Sequence, residues 1–179
     1  MIDSIFLIIN KFGHLTYGED VSQLEHVLQC GYLALEDDAP PSLVAAALLH
    51  DIGQFIDDAG NAAEKLGIDA RHEVVGADYL GRCFPPSVTE PIRLHVDAKR
   101  YLCAVEPGYE QALSGASALS LRLQGGAMNA EEIERFRQGP HFDAAVRLRR
   151  YDDGGKKPET AVPDLESYRP MLQALMHSA

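Results

Sequence analysis

Apolar residues recur along this chain at helical spacing, one segment after another. Over 21–36, Leu24, Val27, Leu28, Gly31 and Leu35 share one side, while Cys30, Leu33 and Ala34 lie round on the other. A helix apolar on most faces is buried rather than laid over a surface, so this segment is expected to run through the core. The next helix, 42–51, follows Pro40-Pro41 and has Ser42 as its expected N-cap. Its run LVAAALL is apolar all round, and it is the most deeply buried segment that the pattern predicts.

Further helices are predicted over 70–83, stopped by Pro85-Pro86, and over 87–96. Residues 109–124 read as helical in places, weakened by Gly115 and ended by Gly125-Gly126. Asn129-Ala-Glu-Glu132 is a cap followed by an acidic first turn, which suits the positive end of a helix dipole and leads into 133–138. A helix over 141–150 ends before Asp152-Asp153-Gly154-Gly155, and 165–177 closes a bundle. No run alternates apolar and polar for long, so strands are not expected. The fold class predicted is all-α, as a single domain over 1–179.

Composition agrees with a soluble enzyme-sized domain: 179 residues, 46% apolar and 24% charged. The net charge of −11, from 27 acidic and 16 basic residues, repels phosphate backbones and anionic headgroups. Neither nucleic acid nor membrane is an expected partner. The apolar start, MIDSIFLIINKF, lacks a basic n-region and a cleavage site and is too short to span a bilayer, so it reads as a first helix. Cys30, Cys83 and Cys103 have no metal-binding spacing and read as reduced, buried thiols, which favours the cytoplasm.

The chemistry concentrates in histidines. His50-Asp51 ends the apolar run of ALLHDIG, where an ionised carboxylate needs a metal or another cation. His26, His72 and His95 recur at a similar pitch, each inside its own predicted helix. One ligand per helix, all pointing inward, is how bundles build metal sites in their cores. Imidazole and carboxylate without thiolate suit iron, manganese, zinc, nickel or cobalt. His14, His141 and His177 read as surface or packing residues.

His26, His50-Asp51, His72, His95 and Asp152 together resemble the metal-binding pattern of the HD-domain superfamily. Most of its members are phosphohydrolases, and a minor branch comprises diiron oxygenases that cleave the C–P bond of 1-hydroxyalkylphosphonates. YGEDVSQLEH (17–26), ALLHDIG (47–53), HVDAKRYL (95–102) and RRYDDGGK (149–156) carry a resemblance to that phosphonate branch. It implies an HD-domain helical bundle with two iron ions, Fe(II)/Fe(III). His26, His50, Asp51 and Asp152 would hold one ion, and His72 and His95 the other, with Asp51 bridging. Lys99 would meet the phosphonate, with Ser117 and Arg149 as further contacts. Tyr17 would occupy an open metal position until substrate displaces it, and Glu19 would sense the substrate's amine.

One position departs from the branch: Gln54 stands where its members carry a phosphonate-contacting histidine. The amide can still donate a hydrogen bond but cannot titrate. The resemblance implies O2 as co-substrate and, as substrate, 2-amino-1-hydroxyethylphosphonate or its trimethylammonium analogue. The products would be phosphate and a carboxylate. The alternative is a metal-dependent phosphohydrolase acting on a small phosphate ester or nucleotide, for which other divalent metals would serve.

Overall fold

A computed structural model describes residues 1–16, 19–56 and 67–177, and the described residues are helical with no strand. The helices are α1 (Ile2–Phe12), α2 (Gln23–Glu36), α3 (Pro41–Leu49), α4 (Ile52–Phe55), α5 (His72–Leu80) and α6 (Pro86–Val105). They continue with α7 (Tyr109–Ala112), α8 (Gly115–Leu123), α9 (Ala130–Arg137) and α10 (Phe142–Gly154). A 3-10 turn, Leu165–Tyr168, then leads into α11 (Arg169–Leu175). Among the described residues, no helix is long and apolar enough to cross a membrane.

Local chemistry sets the helix starts. Ser22 and Glu25 form a reciprocal capping box at α2, and Asn129 and Glu132 form another at α9. The expected Ser42 cap is corrected: α3 begins at Pro41, whose fixed φ suits the first turn and whose missing N–H would be unsatisfied there anyway. The break at Gly115 is real, and Ser114 caps α8 by accepting from the Ser117 amide.

Two predicted helix ends also move. The helix expected to stop at residue 96 continues to Val105, which puts Lys99 on the same buried helix as His95. The helix expected to end before Asp152 continues to Gly154. A Cβ on Gly154 would stand 2.9 Å from Leu33 Cδ1, and one on Gly155 would stand 2.5 Å from Cys30 Sγ. The glycines that read as a helix stop are therefore the residues that let α10 lie against α2.

α2, α3, α6 and α10 pack on one another to form the frame, with α4 and α5 covering one end. α3 is buried from Leu43 to Leu49, as its pattern requires. Ile5 and Ile9 from α1, Leu48 and Leu49 from α3, Phe84, Ile92, Leu148 and Leu172 fill the main core. A smaller core of Tyr101, Tyr109, Met128 and Phe136 lies toward the far ends of α6 and α10. Cys30 and Cys83 are buried thiols, whereas Cys103 is partly exposed, against expectation.

Candidate metal centre

Four helices deliver one histidine region each to a single point between the cores. His26 comes from α2, His95 from α6, and His72 is the first residue of α5. His50 and Asp51 occupy the break between α3 and α4, where the chain leaves the helix and turns both side chains inward. Gly53 makes this junction possible, because a Cβ there would lie 1.9 Å from the His72 carbonyl and 2.7 Å from the Gly76 nitrogen. Only backbone on backbone allows α4 to hold α5 so close, and the contact brings His72 to Asp51.

Three of the imidazoles are oriented alike. His26 Nδ1 lies 2.9 Å from the Gly155 carbonyl, His50 Nδ1 2.9 Å from Ala47, and His95 Nδ1 2.7 Å from Ile92. A carbonyl only accepts, so Nδ1 carries a proton in each, which leaves Nε2 as the atom that can ligate once it is bare. The Nε2 atoms converge: His26 and His50 Nε2 are 3.3 Å apart, and His72 and His95 Nε2 are 3.1 Å apart. Each pair of nitrogens can share one cation, a proton or a metal ion.

The carboxylates complete the centre. Asp51 turns Oδ2 to His26 Nε2 at 3.6 Å and Oδ1 to His50 and His72 Nε2, each at 3.5 Å. It therefore stands between the two histidine pairs, with Oδ1 facing one histidine of each. Asp152 Oδ1 lies 3.4 Å from His26 Nε2. All six predicted ligands are thus brought together, and a pair of metal ions fits them. Burial opposes ionisation of Asp51, yet His50, His72 and His26 around it hold its carboxyl below the ordinary range. Burial pushes His50 and His95 below the usual imidazole range, keeping them neutral as ligands must be.

Cys30 touches the His26 ring at the edge of this cluster. Its thiol donates to the Tyr151 carbonyl, and burial pushes its pKa up, so it remains a protonated packing group.

A cavity of about 330 Å³ opens beside the centre. Part of its lining is cationic: Lys99, Arg149 and Lys156 line it together with Ser117 and Ser120. Lys99 is only 3% exposed, and its ammonium donates to Ser120 Oγ at 2.7 Å. Burial, with Arg149 nearby, pushes its pKa down to about 7. Arg149 donates to Asp152 at 2.6 Å, to Tyr109 at 3.0 Å and to Asp153. Glu19 and Gln54 also line the cavity, whereas Tyr17 lies outside the described residues.

Sequence reasoning missed Lys156, Ser120 and Gln23. Lys156 donates to Glu19 at 2.7 Å and to Ser117 at 3.0 Å, and stands 3.9 Å from Asp152. Its place four residues after Asp152 was the available signal. Gln23 lines the cavity with its carbonyl oxygen buried and without a hydrogen-bond partner.

No protein-family model matches the sequence. Hydroxymethylphosphonate dioxygenase from Gimesia maris is 46% identical over 179 residues, spanning 99% of this chain and 89% of the relative. The glycine-betaine-forming 1-hydroxy-2-(trimethylamino)ethylphosphonate dioxygenase of Leisingera caerulea is 38% identical over 177 residues, spanning 98% of this chain and 90% of the relative.

Proposed function

The chain belongs to the phosphonate dioxygenase family, and we propose that it cleaves the C–P bond of a 1-hydroxyalkylphosphonate with dioxygen. The observation that carries this reading is that Lys99, Arg149 and Lys156 share one cavity with the ligand cluster. A phosphonate is a compact dianion, and Lys99, Lys156 and Arg149 with two serine hydroxyls offer it charge-assisted hydrogen bonds. Substrate R–CH(OH)–PO3 and O2 yield R–COOH and phosphate, which balances atoms without another reductant.

His26, His50, Asp51 and Asp152 would hold one metal ion and His72 and His95 the other, with Asp51 shared. We assign iron, because an imidazole and carboxylate set without thiolate suits it and because the reaction needs a metal that changes valence. When bound, the pair supplies the activation of dioxygen. The chain's own residues do the rest. Lys99 and Lys156 hold the phosphonate and neutralise the charge that departs with phosphate. Ser117 and Ser120 orient its oxygens. Gln54, which lines the same cavity, would contact the substrate there. The apolar cores behind the centre exclude water from it.

Glu19 bears on the carbon substituent. Its carboxylate accepts from Lys156 and from Ser114, both at 2.7 Å, so it is already neutralised. A substrate ammonium would have to compete with a lysine for it. Hydroxymethylphosphonate, which has no amine, therefore fits this site better than the 2-amino compound or its trimethylammonium analogue.

The test is phosphate release by iron-loaded protein from these three compounds, with and without oxygen. Oxygen-dependent release, fastest from hydroxymethylphosphonate, is expected. Anaerobic release of phosphate from simple esters instead would replace this reading with the phosphohydrolase.

A further inference from the structure

We infer that Glu73 is the positioning residue for His72 and sets the affinity of the half of the metal centre that His72 and His95 form. The inference starts from an asymmetry. His50 and His95 each give the Nδ1 proton to a carbonyl three residues back, one helical turn earlier, and His26 gives its own to Gly155 across the bundle. His72 is the first residue of α5, and Arg71 before it is in a left-handed conformation at φ 48°. No preceding turn exists to supply a carbonyl. Its Nδ1 instead faces Glu73 Oε2 at 3.7 Å.

That oxygen is an anomaly in its own right. Glu73 is 8% exposed, and Oε2 is buried with no hydrogen-bond partner. A buried carboxylate oxygen left unpaired is costly, and native structures give such groups a reason. The two incomplete groups answer each other. For His72 to ligate through Nε2, its Nδ1 must carry the proton, and a proton there needs an acceptor. A cation on Nε2 makes the Nδ1–H a stronger donor. Closing the contact to an ordinary hydrogen bond takes a side-chain movement of about 1 Å.

The consequence follows from charge. A carboxylate acceptor makes an imidazole a more basic ligand than a neutral carbonyl does. His72 is therefore the one histidine of the four with an anionic support, and the two halves of the centre differ although their imidazole counts match. Substitutions at such outer partners typically weaken metal affinity about 10- to 100-fold.

The inference rests on the ligand set proposed above, and the experiment separates the two. The metal-free full-length protein is titrated anaerobically with Fe(II) by calorimetry, as wild type, Glu73→Gln, Glu73→Leu and His72→Ala, and each metal-free form is melted. Glu73→Leu should bind one ion as wild type does and the other about 10- to 100-fold more weakly. Its metal-free melting temperature should stay level or rise, because the orphaned oxygen is gone. Glu73→Gln keeps an acceptor without charge and should fall between. A purely structural role would lower both quantities together. Equal affinities in Glu73→Leu and wild type, or loss of both ions with a lowered metal-free melting temperature, would overturn the role of Glu73. Two undiminished sites in His72→Ala would overturn the ligand set, and this inference with it.

Discussion

Asp152 divides its carboxylate between two partners: Oδ2 accepts from Arg149 at 2.6 Å, and Oδ1 stands 3.4 Å from His26 Nε2. Both residues are buried on α10, one turn apart. The guanidinium thus fixes which oxygen is left for the metal side. Because Arg149 also serves Asp153 and Tyr109, its donors are largely committed within the protein. Its first task is to aim Asp152, and contact with substrate comes second.

Removing that cation should be severe. Arg149→Met leaves Asp152 buried without its partner, and breaking such a pair costs about 3–5 kcal/mol. The variant should melt well below wild type and lose the ion held by His26, His50 and Asp152. Arg149→Lys keeps the charge with fewer donors and should lie between. Thermal melts with metal analysis check both, and an Arg149→Met protein with wild-type stability would rule out the orienting role.

Metal should stabilise the fold and His50 should be required for it. The facing Nε2 pairs at 3.3 and 3.1 Å each offer a metal ion two nitrogens. Each ion bound at 100 times its dissociation constant adds about 2.7 kcal/mol. Chelation should therefore lower the melting temperature of the iron-loaded protein. His50→Ala should take up fewer than two ions, with little further change on chelation. Normal metal content in that variant would sink the ligand assignment.

The candidate ligands could be picked out because His26, His72 and His95 each fell inside a predicted helix around His50-Asp51, while Asp152 came from the resemblance. His50-Asp51 was the plainest, being an ionisable pair at the end of a helix buried from Leu43 onward. What surrounds the ligands was harder to read. The sequence DDGG reads as a helix stop, but close packing of Gly154 on Leu33 and Gly155 on Cys30 carries α10 through Asp152. Lys156 sits after two glycines in an ordinary surface context, and only the fold brings Glu19 to it across the chain. Local pattern shows which residues want to be buried. It does not show which distant charge will meet them.

Lys99 should reveal its burial through pH. Burial and Arg149 hold its ammonium at about 7, against 10.5 for an ordinary lysine. Between those values the unfolded chain binds a proton that the folded chain does not, so the stability of the metal-free protein should rise with pH across that window. Lys99→Met should lack this rise and be more stable than wild type below pH 7. The same change should raise KM for the phosphonate about tenfold or more, since a charge-assisted hydrogen bond is worth about 1.5–3 kcal/mol. Melts from pH 6 to 10 and steady-state kinetics test the two together. A variant that keeps the wild-type pH slope, or the wild-type KM, would remove the corresponding half of the argument.

Lys156 should govern which substituent the carbon bears. Glu19 stands at the cavity with its charge balanced by Lys156 at 2.7 Å, and Ser114 donates to the same oxygen. Burial opposes the charge on Lys156, yet Asp152 nearby raises its pKa, so the ammonium is retained. Lys156→Met removes one phosphonate contact and also uncovers the Glu19 carboxylate. Every substrate should lose affinity from the first effect. Only a cationic substrate should recover some of it from the second, because the freed carboxylate can pair with the substrate's ammonium. The ratio of kcat/KM for the trimethylammonium compound over hydroxymethylphosphonate should thus rise by about tenfold, the equivalent of about 1.4 kcal/mol. Glu19→Gln in the same background should cancel the rise. If instead Lys156→Met lowers kcat/KM for both compounds by the same factor, Glu19 does not read the substituent, and selectivity must be sought elsewhere in the cavity.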